Sequence, residues 1–303
     1  MAANRKLCGR HYLLRLALPE FPPTQAGQFV QLQCRFPTPQ VSIHEADWPA
    51  RGRPRLTQPE LADMEPFLRR PLSLAGREDL HDRVELELIY RVTGTGTAWL
   101  SGVAAGETLS VLGPLGNAFP LRADKPLAAL LGGGVGIPPL IYLARTLAQA
   151  GKSVVAFLGV RSADFLPVSL LGDTAPRGDG GPNLCVTEFA RCGVPAAVAT
   201  DDGSLGFAGM ASQPLLRWLD EHRVDPADLT VYACGPEKMM RVVADACAAR
   251  SIECLLSLER HMACGMGTCQ SCVVKIRSDS PPGWSFKLCC SDGPVFDARD
   301  VMW

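Results

Sequence analysis

Cysteines near the C-terminus have the side-chain type and the spacing to bind iron. Cys264, Cys269 and Cys272 lie in CGMGTCQSC, and Cys289 and Cys290 follow in KLCCSDGPVF. The pattern C-x4-C-x2-C with a distant further cysteine is the plant-type arrangement of a [2Fe–2S] cluster, in which four thiolates complete tetrahedral sites on two bridged irons. The spacing therefore predicts a protein that transfers electrons.

The glycines of the first spacer, Gly265 and Gly267, favour the same interpretation. A loop wrapped around a cluster needs positive φ angles and a close approach of backbone N–H groups to sulfur, and glycine permits both. Structural zinc is the alternative, but zinc sites usually present two short Cys or His pairs, whereas here three cysteines share one loop. The spacing does not decide between Cys289 and Cys290 as the fourth ligand, because a loop can turn either thiolate inward.

A glycine-rich segment, GGGVGIPP at 132–139, lies between a predicted strand and a predicted helix. Such glycines let the backbone approach a pyrophosphate, and the helix N-terminus supplies free N–H groups and a favourable dipole. The segment does not follow the G-x-G-x-x-G pattern, and a tight strand-to-helix turn explains it equally well. The candidate nucleotide-binding glycines are Gly132, Gly133, Gly134 and Gly136.

Cys234 is a second candidate in the same half of the chain. In ACGPEKMM it follows a predicted strand and precedes a predicted helix, which is where open α/β sheets place ligands. It could therefore lie near a bound ligand, which would be the nicotinamide if the domain binds NAD. The alternative is a buried thiol without a chemical role, as most free cysteines are.

The segment RPLS contains two side chains suited to a dinucleotide. Arg70 could hold a diphosphate through its bidentate guanidinium, and Ser73 could hydrogen-bond a flavin ring nitrogen. Taken alone, the tetrapeptide is explained more simply by an edge strand with a surface arginine.

The segment IYRVTGTGT is more informative. Tyr90 offers a ring for stacking, and Arg91 offers a second cation. Gly94, Gly96 and Thr97 would form a compact backbone nest with a hydroxyl for phosphate. The alternative is a strand that runs into an ordinary loop.

Three regions must position these residues. Short strands broken by Gly and Pro predict an antiparallel barrel over 1–122, with a Pro-rich surface insertion and one short helix at 37–69. From 123 to 252, the order strand, glycine loop, helix and strand predicts a Rossmann-like α/β domain, with a loop from Phe165 to Asn183. The cysteine-rich remainder, 253–303, reads as an irregular module that folds around its cluster.

Composition favours a soluble globular protein. Apolar residues make up 47% and charged residues 20% of the chain, and a net charge of −1 gives no reason to expect nucleic acid or an anionic membrane as partner. The twelve cysteines, with no apolar signal core at the N-terminus, fit a reducing cytoplasm. The uncharged stretch from Pro126 to Ala144 approaches the length of a membrane span, but its glycines and prolines favour strand, loop and helix start.

Eight motifs in order carry a resemblance: RPLS, IYRVTGTGT, LGPLGNAF, GGGVGIPPL, TDDGSLGFAG, ACGPEKMM, ERHMACGMGTCQSC and CSDGPVF. With them the chain resembles the electron transfer subunits of NAD-dependent dihydroorotate dehydrogenases, within the ferredoxin–NADP reductase superfamily. The match runs from about 26 to 301, apart from 37–69 and 165–183.

This resemblance implies an FAD-binding barrel, an NAD-binding α/β domain and a [2Fe–2S] module. In the family the last cluster ligand directly precedes x-DGPVF, which here is Cys290. No catalytic residue is assigned with certainty. The implied FAD contacts are Arg70, Pro71, Leu72, Ser73, Ile89, Tyr90, Arg91, Gly96 and Thr97.

The resemblance also implies an electron relay in pyrimidine biosynthesis. An FMN-containing dihydroorotate dehydrogenase catalytic subunit, joined in a heterotetramer, would oxidise dihydroorotate, and electrons would pass through the cluster and FAD to NAD⁺. One alternative is a reductase subunit of another complex, such as a bifurcating transhydrogenase, a hydrogenase or an oxygenase. A second is an iron–sulfur or zinc scaffold without catalysis.

Overall fold

A computed structural model describes residues 1–35, 46–50, 52, 55–56 and 68–303 of the chain. Most of the predicted insertion at 37–69, with its short helix, lies outside the described residues. Among the described helices, none is long and apolar enough to cross a membrane. The uncharged stretch from Pro126 to Ala144 is instead a strand, a short turn and the first half of a helix, as predicted.

The N-terminal half is an antiparallel sheet. Its strands are β1 (Ala3–Cys8), β2 (His11–Leu18), β3 (Phe29–Leu32), β6 (Arg70–Asp79), β7 (Val84–Arg91) and β8 (Val111–Leu115), while β4 (Ala46–Asp47) and β5 (Arg55–Leu56) form a separate pair. The hydrogen-bonded order is β1-β2-β7-β6-β3-β8. Alternate residues such as Leu14, Val30 and Leu88 are completely buried on one face. This is the antiparallel barrel that the strand pattern predicts.

A parallel sheet follows. Its elements are β9 (Leu127–Gly133), α2 (Ile137–Gln149), β10 (Ser153–Val160), α3 (Thr187–Ala190), β11 (Ala196–Thr200), β12 (Phe207–Ala208), α4 (Ser212–His222), β13 (Leu229–Cys234), α5 (Glu237–Ala249) and β14 (Glu253–Ser257). The order is β12-β11-β10-β9-β13-β14, closed at one edge by the antiparallel β17 (Val295–Asp297). The chain moves outward from β9 through β10 and β11, and then returns to the other side of β9 with β13. Ligands bind at such a switch point in open α/β sheets.

The C-terminal region is more regular than expected. The chain was predicted to be irregular from about Glu253, but Glu253–Ser257 pairs in parallel with β13 and completes the sheet. A hairpin of β15 (Val273–Arg277) and β16 (Trp284–Leu288) follows the cysteine loop. The prediction failed there because β14 is recognised only through the partner strand that buries it.

Candidate cofactor sites

The cysteine loop has the backbone conformation that its glycines predict. Gly265 has φ +73° and Gly267 has φ +87°. The Cys264 sulfur accepts N–H groups from Met266 at 3.5 Å and from Cys269 at 3.3 Å. These backbone donors stabilise thiolate ligands and the additional negative charge of a reduced cluster.

The four predicted ligand thiols form two pairs. The Cys269 thiol contacts that of Cys264, and the Cys290 thiol contacts that of Cys272. Within the described part of the chain, no three His, Cys, Asp or Glu side chains gather closely enough to hold one metal ion. Because four cysteines share two irons in a [2Fe–2S] cluster, two pairs of thiols are compatible with such a cluster.

The adjacent cysteines Cys289 and Cys290 have different surroundings. The Cys290 sulfur accepts the N–H of Gly267 at 3.2 Å and so faces the cysteine loop. Both thiols are buried, and burial raises the pKa of Cys290 to about 11 and that of Cys289 to about 12. The backbone N–H of Cys289 donates to the Cys272 carbonyl at 3.0 Å. Tertiary packing thus distinguishes two thiols that spacing alone does not.

The cysteine loop lies at the protein surface. Cys269 is exposed, and the Ser271 hydroxyl, 3.2 Å from its sulfur, lowers the pKa of this thiol to about 6. Nearby apolar side chains are also exposed: Met266 by 56%, Phe286 by 63% and Val273 by 40%. An apolar surface around a redox centre suits contact with another protein.

The two segments predicted to bind a flavin meet at the start of a helix that the sequence did not predict, α1 (Thr95–Ser101). A Cβ on Gly96 would lie 2.7 Å from Arg70 Nε, so the guanidinium packs directly on this glycine. Arg91 lies over the Phe165 ring at 5.1 Å, and its Nε is buried without a hydrogen-bond partner among the described residues. Arg70 therefore lies on a glycine in the first turn of α1, and Arg91 has a buried donor without an acceptor among the described residues.

Two other residues that were predicted to contact FAD use their side chains in contacts within the protein. The Tyr90 ring is 1% exposed, stacks on Tyr12 and donates its hydroxyl to Asn4 at 3.1 Å, so the prediction that this ring is free for stacking is wrong. Thr97 Oγ1 accepts the N–H groups of Thr93 and Gly94 and donates to the Gly94 carbonyl, which engages it in the start of α1. Tyr90 can contact a cofactor only through its backbone.

His11 is a residue that the sequence reasoning missed. It pairs with Arg91 across β2 and β7, and its Nε2 is also buried without a partner in the described residues. Burial, followed by the charge of Arg91, lowers the pKa of His11 to about 4. A neutral imidazole thus lies beside the unpaired arginine nitrogen, and no sequence motif indicates it.

The glycine segment after β9 and the CGP turn after β13 meet at the switch point. A Cβ on Gly136 would lie 2.1 Å from the Cys234 carbonyl oxygen, and one on Gly133 would lie 2.6 Å from Pro236 Cδ. Packing therefore requires glycine at these two positions, as expected for a tight strand-to-helix turn. Gly134, with φ +53°, faces open space, because no atom lies within 4 Å of the point that a Cβ would occupy.

Cys234 lies beside this glycine segment, opposite Gly132 in the β9–β13 pair. Its thiol is half-buried, and burial raises its pKa to about 12. Burial therefore disfavours the thiolate form of Cys234, which is the nucleophilic form of a cysteine.

Asn117 attaches the C-terminal region to the barrel. Its side chain donates to the carbonyls of Asp292 and Val295 at 3.0 and 2.9 Å, and its Oδ1 accepts the Val295 N–H at 2.9 Å. A Cβ on the preceding Gly116 would lie 2.7 Å from Pro294 Cδ. The segments GPLGN and DGPVF therefore contact each other, which the sequence alone does not predict.

Two open cavities lie away from these residues. One, of about 600 Å³, is lined by Arg122, Glu253 and Arg299, and the other, of about 410 Å³, lies between the barrel and α2. Neither is lined by the cysteine loop, the RPLS segment or the glycine segment. These cavities therefore do not coincide with the predicted cofactor sites.

Comparison with known proteins of similar sequence places the chain in a family. The family model for the iron–sulfur cluster binding domain of dihydroorotate dehydrogenase B matches residues 259–302. The dihydroorotate dehydrogenase B (NAD(+)) electron transfer subunit of Bacillus caldolyticus is 40% identical over 243 residues, which cover 80% of this chain and 82% of that protein. The chain belongs to the family of dihydroorotate dehydrogenase B electron transfer subunits.

Further comparisons agree with membership of this electron transfer family. The subunit of Desulforamulus reducens is 34% identical over 239 residues, 79% of this chain and 82% of that protein. An NADH-dependent reduced ferredoxin–NADP oxidoreductase, studied for flavin-based electron bifurcation, matches with a TM-score of 0.73 at 24% identity over 100% of this chain and 88% of that one. Phthalate dioxygenase reductase matches at 0.54 and 18% identity, over 95% and 75%. The fold is that of ferredoxin–NADP reductases, and the resemblance inferred from the eight motifs is confirmed.

Proposed function

We propose that the chain is the electron transfer subunit of an NAD-dependent dihydroorotate dehydrogenase in pyrimidine biosynthesis. It would receive electrons that a catalytic subunit takes from dihydroorotate and deliver them to NAD⁺. The observation that carries this proposal is a family relationship over four fifths of the chain, combined with four predicted ligand thiols in two pairs, of which Cys269 is exposed.

A cluster would be held by Cys264, Cys269, Cys272 and Cys290. The fit rests on the paired thiols and on the N–H groups of Met266, Gly267 and Cys269 that already point at sulfur. Oriented backbone donors favour added negative charge without reorganisation, because the loop holds them in place before any electron arrives.

FAD would bind where the RPLS segment meets α1. The fit rests on the guanidinium of Arg70 above Gly96, which leaves no room for a side chain, and on the unpaired Nε of Arg91. FAD accepts electrons one at a time and passes two with a proton as hydride, which links a cluster to NAD⁺. The residues proposed to contact FAD are Arg70, Pro71, Leu72, Ser73, Ile89, Tyr90, Arg91, Gly96 and Thr97.

NAD would bind at the switch point between β9 and β13. Gly133 and Gly136 let the two loops approach each other, Gly132 packs against Ile137 at the start of α2, and Gly134 presents open backbone to a ligand. Cys234 would border the nicotinamide, and burial there disfavours its thiolate form.

The partner would be an FMN-containing catalytic subunit in a cytoplasmic heterotetramer. Met266, Val273 and Phe286 form an exposed apolar surface beside the cysteine loop, so a partner bound there would stand next to the cluster. Exclusion of water from such a contact stabilises association.

Separate assays of the two half-reactions test this function. The isolated chain with its cofactors should oxidise NADH with an artificial dye but should not oxidise dihydroorotate. Adding the catalytic subunit should create dihydroorotate:NAD⁺ activity. Cys269→Ser should abolish that activity and leave NADH–dye turnover largely intact, because the NAD site lies on the FAD side of the cluster.

Two outcomes would count against the proposal. Parallel loss of both activities in Cys269→Ser, with FAD still bound, would mean that electrons do not travel in this order. Failure of the wild-type pair to oxidise dihydroorotate with NAD⁺ would favour a reductase subunit of another redox complex.

Arg70→Ala should weaken FAD binding. Loss of a charge-assisted hydrogen bond costs about 1.5–3 kcal/mol, which corresponds to roughly 10- to 150-fold in the dissociation constant. Arg70→Lys keeps the charge without the bidentate geometry and should be intermediate. Fluorescence titration of the apoprotein with FAD measures both, and an unchanged affinity in Arg70→Ala would remove this residue from the site.

A further inference from the structure

Gln31 carries a buried amide with no hydrogen-bond partner among the described residues. Its side chain is 1% exposed, and neither Oε1 nor Nε2 has a hydrogen bond to any described residue. An unpaired buried amide is costly, and buried polar groups in native proteins almost always find a partner. A group that is not part of the polypeptide can supply that partner.

The strand register places this amide beside the proposed flavin residues. Gln31 lies directly opposite Pro71 in the β3–β6 pair, and Phe29 lies opposite Ser73. Directly opposed residues share a face of the sheet, and residues two apart along a strand also share it. Val30 and Leu32 alternate with Gln31 and fill the barrel core, so Gln31 points away from that core.

The other end of the side chain contacts the cysteine loop. A Cβ on Gly265 would lie 2.2 Å from Gln31 Nε2 and 2.6 Å from its Cδ. The amide therefore lies directly on the backbone next to Cys264. Glycine is required at position 265 for two reasons: its φ is +73°, and the Gln31 amide occupies the space that a side chain would need.

We propose that Gln31 is a positioning residue that joins the flavin strand to the cluster and donates a hydrogen bond from Nε2 to cluster sulfur at the Cys264 end. This inference rests on the proposed function. The step concerned is the transfer of one electron from the catalytic subunit, which would make the cluster more negative by one charge, shared in part by its sulfurs, and would neither form nor break a bond. A donor at sulfur stabilises the added charge and so raises the reduction potential of the cluster.

Gln31→Met tests the proposal, because methionine is unbranched, similar in length and unable to donate. In the FAD- and cluster-loaded chain, the potential measured by redox titration with electron paramagnetic resonance should become more negative. A tenfold weaker preference for the reduced form is a shift of about 59 mV for one electron. Gln31→Asn keeps the amide on a side chain too short to reach Gly265, and its cluster potential should also become more negative. This second variant provides the test if Gln31→Met does not fold. Gln33→Met is the matched control and should not shift.

The other outcomes are decisive. An unchanged cluster potential in both Gln31 variants overturns the proposal. A changed flavin potential or FAD affinity with an unchanged cluster would assign the amide to the flavin instead, and lower stability with both potentials unchanged would make its role structural. The titration needs only the isolated chain with its cofactors. The measured potential can therefore be interpreted even if the chain fails to support dihydroorotate:NAD⁺ activity.

Discussion

Replacing Cys290 by serine is expected to abolish the visible absorbance of the iron–sulfur cluster, whereas Cys289→Ser retains it. The Cys290 sulfur accepts the Gly267 N–H and contacts the Cys272 thiol, while Cys289 is completely buried. A serine oxygen is a harder and weaker ligand for this iron than a thiolate. Absorbance and iron content of the two purified variants provide the measurement.

The adjacent variant serves as the control for the cluster prediction. Cys289→Ser places a hydroxyl in a completely buried position, so some loss of thermal stability is expected with the colour retained. In the complex with the catalytic subunit, Cys290→Ser should lose dihydroorotate:NAD⁺ activity and Cys289→Ser should keep it. A bleached Cys289→Ser protein beside a coloured Cys290→Ser protein would reverse the ligand assignment.

Gly136→Ala is expected to destabilise the chain strongly and to impair the use of NADH. The new Cβ would lie 2.1 Å from the Cys234 carbonyl oxygen, a backbone atom that cannot rotate away. The free energy of unfolding should fall by roughly 3 kcal/mol or more, the upper end of the usual cost of overpacking. Because the two loops must separate, the KM for NADH should rise in the NADH–dye assay, while the spectra of FAD and cluster persist.

Gly172→Ala is the matched control for this steric argument. Gly172 has no positive φ and no atom within 4 Å of the Cβ position, so its substitution should leave stability and KM unchanged. Chemical denaturation of both variants compares them directly. Gly136→Ala with wild-type stability and KM would show that the glycine segment and the CGP turn do not depend on their close contact.

The sequence by itself determined the cluster loop. Ligand type, the spacing of Cys264, Cys269 and Cys272, and the glycines between them are contiguous, so the requirement for positive φ at Gly265 and Gly267 can be read locally. The order of strands, glycine segment and helix was readable for the same reason, since hydrophobic periodicity reports the element that each segment forms. The family resemblance followed from the order of such local motifs.

Only the tertiary structure decided which groups meet. Tyr90 turned its ring inward because the strand register directs alternate side chains to opposite faces, and a segment read alone does not show which face is covered. The segment Glu253–Ser257 becomes a strand because it pairs with β13, a contact that the local sequence does not show. Gln31 and Gly265 lie more than two hundred residues apart along the chain, and their contact depends on how the barrel and the C-terminal region pack together. Local chemistry is encoded in neighbouring residues, whereas the contacts that join the proposed flavin and cluster sites are created by long-range packing.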